Sequence, residues 1–131
     1  MGHRNEELLR ACYAAFARGD LDAVFELFSP DIEWHVPGEF PLAGDYKGTE
    51  EVRRFFGRLF DLLGADGSLQ LEAKDILAND RHAVSLMHYQ ARRGERTLDT
   101  TIVHVWRVDD GKLAQYRAYP KDLHIVEDFW S

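Results

Sequence analysis

Four side chains in this 131-residue sequence are suited to moving protons: His104, His88, His35 and Asp122. An imidazole titrates near neutrality, so it can give or take a proton at ordinary pH. Thr100, Ile102, His104, Trp106 and Val108 alternate along one segment and would share a strand face. Val84, Leu86, His88 and Gln90 do the same in the segment before it. Where both faces line one cavity, two imidazoles project into a mainly apolar space. There they could abstract a proton next to a carbonyl and return it elsewhere. The competing reading makes each a hydrogen-bonded core histidine. Asp122, near the C-terminal end, is either an acid–base group or the start of a helix.

Trp34 and His35 are neighbours on an alternating stretch and point to opposite faces. Counting from the preceding helix turns Trp34 inward; counting back from Pro37 favours Glu33 and His35. Both registers stand at this stage. Trp106, Tyr46, Phe55, Phe56 and Tyr116 are candidate pocket walls, or ordinary aromatic core. Asp45 falls in a loop at the pocket mouth, as a polar contact or a solvated carboxylate. Cys12 lies on an apolar helical stripe, which reads as a buried, inert thiol rather than a nucleophile. His35, His88 and His104 suffice in number for a catalytic zinc, but they lack helical or hairpin metal spacing, so no metal is expected. Gly38, Gly44 and Gly48 lack the strand–turn–helix spacing of a phosphate loop, and there is no GxSxG elbow. No cofactor is expected.

Charge narrows the partners. The chain has 16 basic and 23 acidic residues, a net charge of −7. That sign argues against nucleic acid and anionic membrane, and leaves a small molecule as the ligand. A single cysteine excludes an internal disulfide. No apolar run approaches the ~18 residues of a membrane span, and no secretory leader is seen, so the expected compartment is cytoplasmic. The length fits one domain spanning residues 1–131.

The elements that must position these residues follow from hydrophobic period. Leu8, Leu9, Cys12, Tyr13 and Phe16 make the stripe of an amphipathic helix over 5–18, ended by Gly19. Asp20 caps a second helix holding Leu21 to Phe28 and stopped by Ser29-Pro30. Residues 31–36 alternate as a strand, and a loop covers 39–48. Thr49 is the expected cap of a third helix closed by Gly64. The period then changes to two, predicting strands over 69–77, 83–92, 97–108 and 113–119 joined by tight turns. Residues 121–129 form a closing helix or a tail. Helices followed by hairpin-linked strands argue for an α+β fold, with a curved, mostly antiparallel sheet covered by helices on its concave side. Such a fold leaves a pocket between sheet and helices.

The run YAAFARGDLDAVFELFSPDIEWHVPGEFPLAGDYKGTEEVRRFF, residues 13–56, and the run VHVWRVDDGKLAQYRAY, residues 103–119, resemble the SnoaL-like and ketosteroid-isomerase-like branch of the nuclear-transport-factor-2 superfamily. The resemblance implies a cone-shaped α+β barrel, with N-terminal helices packed on the sheet. It also implies a homodimer through the outer sheet face, where Thr97, Asp99, Thr101, Val103, Val105 and Arg107 would lie. It places the ketosteroid-isomerase base at Val36, beside His35. The helical tyrosine of those enzymes falls at Cys12, one step from Tyr13, and their protonated aspartate falls at His104. All three roles differ, so steroid isomerisation by that mechanism is not expected. The arginine–aspartate pair of the superfamily's epoxide hydrolases would fall at His88 and Gln90. SnoaL-type cyclases place an acid–base group near Asp122. The implied function is a cofactor-independent isomerase, cyclase, dehydratase or hydrolase acting on a small apolar substrate. The alternative is a non-catalytic small-molecule binding or dimerisation module.

Overall fold

Side-chain caps set where the chain begins to coil. In the computed structural model, which describes residues 3–131, the His3 imidazole accepts the Asn5 amide and starts α1, Arg4–Ala17. Asp20 accepts the Ala23 amide at 3.1 Å and starts α2, Leu21–Glu26, after Gly19 turns the chain at φ +76°. The chain becomes extended sooner than Pro30 suggested. Strand β1, Phe28–Val36, passes through that proline. It can do so because pairing with the neighbouring strand is irregular there: Phe28 faces Leu113, and the next matched pair is Glu33 with Gln115.

The expected 39–48 loop holds a short strand, β2, Gly44–Lys47, paired antiparallel to β1. β2 runs directly into α3, Gly48–Leu63, through Gly48 at φ +82°. This moves the helix start ahead of the predicted cap Thr49, which lies inside the first turn. Glu51 instead reaches back to accept the Lys47 amide at 2.8 Å. Four long strands follow: β3 (Ser68–Ala78), β4 (His82–Arg93), β5 (Arg96–Asp109) and β6 (Lys112–Pro120). The chain closes with a helix rather than a tail: α4, Leu123–Trp130.

One six-stranded sheet has the order β2-β1-β6-β5-β4-β3. Every neighbouring pair is antiparallel except β1 with β6. The core lies between its concave face and α1, α2 and α3, where Leu9, Val24, Ile32, Val52 and Leu113 are fully buried. α4 closes the end of the cone. Its last carbonyls accept from Arg93, at 2.8 Å to Phe129, and from Arg96, at 2.5 Å to Ser131. Cations suit the negative end of a helix. No helix among the described residues is long and apolar enough to cross a membrane.

Strand register corrects one expectation with consequences for the site. β4 and β5 pair residue for residue from Arg93 with Arg96, which sets Ser85 opposite His104 and His88 opposite Thr101. Opposed residues share a face. The inward residues of β4 are therefore Ala83, Ser85, Met87, Tyr89 and Ala91, all buried. Val84, Leu86, His88 and Gln90 face outward. Both sets carry apolar residues, so alternation alone did not separate them.

Candidate functional site

Between the helices and the sheet lies an apolar cavity of about 110 Å³. Trp34 and Val36 of β1 face it, as do Cys12 of α1, Phe56 of α3, Trp106 of β5 and Tyr116 of β6. Trp34 is 5 % exposed, which resolves the β1 register in its favour. Its ring stacks on Tyr116 at 3.9 Å between centroids, and Trp106 meets Tyr116 edge-on at 4.8 Å. Such aromatic contacts make a rigid, flat-walled box. Among the described residues, no Asp, Glu, Lys or Arg lines the cavity.

His104 is the polar centre of this box. It projects from β5 into the cavity and is 4 % exposed. Its Nδ1 lies 2.7 Å from the Tyr13 hydroxyl of α1. That hydroxyl also lies 2.5 Å from Ser85 Oγ and accepts the Trp106 indole N–H at 3.2 Å. Nε2 has no partner among the described residues. Burial pushes the His104 pKa down to about 3, because a charged ring would be stripped of water with no carboxylate beside it. The imidazole is therefore neutral through the ordinary pH range.

The phenols behave in the same sense. Burial raises the pKa of Tyr13, against the lowering effect of its bonds to Ser85 and Trp106. Burial also raises that of Tyr89, whose hydroxyl accepts the Trp130 indole N–H at 3.0 Å. Tyr116 is raised well above its ordinary value by burial first, and then by the nearby Tyr13 and Tyr89. All three stay protonated and can donate. Cys12 is pushed up to about 12 by burial, so its thiol is inert at neutral pH.

The remaining predicted residues lie elsewhere. His88 is on the outer sheet face, with Nε2 2.7 Å from Asp99. It does not enter the cavity, because β4 has the opposite parity to that expected. His35 is also outward, with Nδ1 2.5 Å from Asp45 of β2. The pair forms part of an open groove of about 720 Å³ along β1, β2 and β6. Tyr46 borders that groove rather than the cavity; its hydroxyl donates to the Leu42 carbonyl at 2.8 Å, and its ring packs on Phe55. Asp122 holds the N-cap position of α4 without a side-chain cap bond, outside the cavity lining. The three histidines of the zinc reading are divided between two sheet faces and do not converge.

Ser85 and Tyr89 are polar members of the site that alternation missed, and Tyr13 stood out only as part of the apolar stripe of α1 and as a neighbour of Cys12. The tight turn at Gly94-Glu95 held the missing signal. Counting back residue for residue from Arg93 and Arg96 pairs His104 with Ser85 and puts Tyr89 on the same face.

Comparisons with known proteins agree with this architecture. A family model described as a SnoaL-like domain matches residues 9–116. A Mycobacterium tuberculosis protein described as uncharacterized is 32% identical over 126 residues, covering 95% of each chain. Among solved structures, Bal32a from a soil-derived mobile gene cassette is 32% identical at a TM-score of 0.88, covering 98% of this chain and 97% of its own. TerC, co-crystallized with polyporic acid, is 23% identical at a TM-score of 0.85, covering 97% of this chain and 98% of its own. The fold is the cone also described as cystatin-like and NTF2-like in solved chains. With its helix-covered sheet and aromatic-lined cavity, the chain belongs to the SnoaL-like family.

Proposed function

We propose that this protein is a small-molecule enzyme that works without a cofactor, on a compact, largely apolar carbonyl compound held in the aromatic cavity. The observation that carries this reading is His104: a neutral imidazole buried in an otherwise apolar box, anchored through Nδ1 with Nε2 left over. The reaction is of the isomerisation, cyclisation, dehydration or hydrolysis kind. For isomerisation, cyclisation and dehydration of a carbonyl compound, the shared step is proton loss next to the carbonyl. The C–H bond breaks, the proton passes to a base, and the electron pair runs onto the carbonyl oxygen. Pre-aimed donors in an apolar site favour that developing charge far more than water does. Imidazole can serve either end of such a transfer, and the protonated phenols of Tyr89 and Tyr116 serve the oxygen end. The cavity compares with apolar spaces of ~150 Å³ that accept a single benzene ring, and is smaller than the ~300 Å³ or more of drug-sized sites.

Deuterium exchange in heavy water tests the idea without knowledge of the natural substrate. Compact ketones such as acetophenone and cyclohexenone are incubated with the protein, and loss of the proton next to the carbonyl is followed by NMR. The wild type should accelerate exchange, and His104→Ala should lose the acceleration while staying folded. Exchange at the buffer rate with tight ketone binding would favour the second reading, a non-catalytic binding module. That reading draws on the absence of a carboxylate among the cavity-lining residues.

Two copies pair through the outer sheet face in this proposal. Leu77, Leu86 and Tyr119 are exposed there, at 57%, 41% and 51%. Val103 lies opposite both Leu86 and Tyr119, joining them into an apolar strip across three strands. Light scattering should give a dimer mass, and Leu86→Glu a monomer mass. A monomeric wild type at micromolar concentration would refute the pairing.

A further inference from the structure

The hydrogen-bond arithmetic around Tyr13 decides more than the presence of a histidine. A phenol hydroxyl has one proton to donate and two lone pairs. The Trp106 indole N–H can only donate, so it occupies one lone pair of Tyr13. One lone pair and one proton then remain for Ser85 and His104. One of those two must donate to Tyr13, and the other must accept from it.

Suppose His104 donates through Nδ1–H. Tyr13 then donates to Ser85, and the Ser85 proton has no acceptor, because Tyr13 is its sole partner among the described residues. Ser85 is 0 % exposed, so that proton would be orphaned in a dry interior. In the opposite sense, Ser85 donates to Tyr13 and Tyr13 donates to His104 Nδ1, so both hydroxyl protons have acceptors, and the one proton left without a partner is on Nε2 of a ring that lines the cavity, where a ligand can accept it. A bare Nδ1 requires the hydrogen of the neutral ring to sit on Nε2.

We propose that Ser85 and Tyr13 form a directional hydroxyl chain that fixes His104 as the Nε2–H tautomer, so that this ring meets its ligand as a hydrogen-bond donor. Ser85 and Tyr13 are thus positioning residues. The inference rests on the cavity being the ligand site, as proposed above.

The rest of the cavity has the same bias. Tyr89 accepts from Trp130, and its own proton has no acceptor among the described residues. The buried indole N–H of Trp34 also lacks one. The site thus holds a surplus of donors, and no charged side chain among the described residues lines it. The matching ligand is an uncharged ring compound bearing a carbonyl-type acceptor. A carboxylate would lose its water without gaining a counter-charge. With His104 as donor, the base for proton removal is solvent or a group of the substrate itself.

The test uses protein labelled with nitrogen-15 and needs no turnover. Long-range proton–nitrogen spectra of the wild type should show His104 protonated at Nε2 and bare at Nδ1. Tyr13→Phe removes the proton that holds Nδ1, and should yield a mixture of both tautomers. A wild-type ring protonated at Nδ1 would overturn the assignment, as would an unchanged tautomer in Tyr13→Phe. Ligand charge is tested with acetophenone and benzoate, which are nearly the same size. Acetophenone should bind at least ~10-fold more tightly by tryptophan fluorescence; equal or tighter binding of benzoate would overturn the ligand class. The tautomer stands or falls apart from the enzymatic reading, since absence of catalysed deuterium exchange leaves the spectra as they are.

Discussion

The two faces of one sheet treat histidine in opposite ways. On the inner face, His104 is buried, has no carboxylate partner and is held neutral through Tyr13. On the outer face, His88 and His35 each meet an aspartate, Asp99 and Asp45, within reach of water. The same residue type therefore supplies a fixed neutral dipole inside and a surface hydrogen-bond partner for aspartate outside. Surroundings decide this, not the imidazole: desolvation penalises charge in the cavity. Of the three candidate histidines, only His104 lines the apolar cavity.

The largest separation between the faces should be in turnover. In the ketone exchange assay, His104→Ala should cost ~10²-fold or more, the scale of losing one pre-aimed donor, whereas His88→Ala should stay within about twofold. Comparable losses in the two variants would erase the distinction.

Stability comes next. Tyr13→Phe leaves the Trp106 N–H and Ser85 without their shared partner and should cost about 2–3 kcal/mol in urea unfolding. His35→Ala breaks an exposed pair, and should cost less than about 1 kcal/mol.

Acid should act through the inner face with a definite sign. The folded pKa of His104 lies far below the ordinary value, so the unfolded chain takes up a proton that the native protein refuses. Its neutral burial is fully tolerated above about pH 6.5, and stability falls as the pH drops from there toward 3. The contribution approaches about 1.4 kcal/mol per pH unit in the middle of that window. His104→Gln should flatten this part of the profile, and an equally steep profile in that variant would assign the effect elsewhere.

The smallest effect is a non-reaction. Iodoacetamide should leave Cys12 unmodified in the folded protein at about pH 8, and alkylate it in urea. Rapid labelling of the native state would show that the inner face opens to solvent.

The elements were legible where one physical rule dominated. Helical stripes, the Asp20 cap and the four late strands all follow from period and turn chemistry. β2 escaped because four residues between a loop and a helix carry too little pattern to reveal a pairing partner. Pro30 misled because the rule against proline in strands assumes a regular ladder, and the β1–β6 ladder is broken there. His104, Trp34, Trp106 and Tyr116 were readable as pocket residues from alternation and aromatic character. His88 was misplaced by one step of parity, which also hid Ser85 and Tyr89. The bond between Tyr13 and His104 joins residues 91 positions apart, and no local pattern encodes it.

His104 stands neutral in an apolar cavity, and an NMR pH titration of the histidine side chains reads that state. The His104 signals should keep neutral-imidazole shifts from about pH 8 down to about pH 4, consistent with a pKa of about 3. A His104 that titrates with a midpoint near 6.5, the ordinary histidine value, would contradict it.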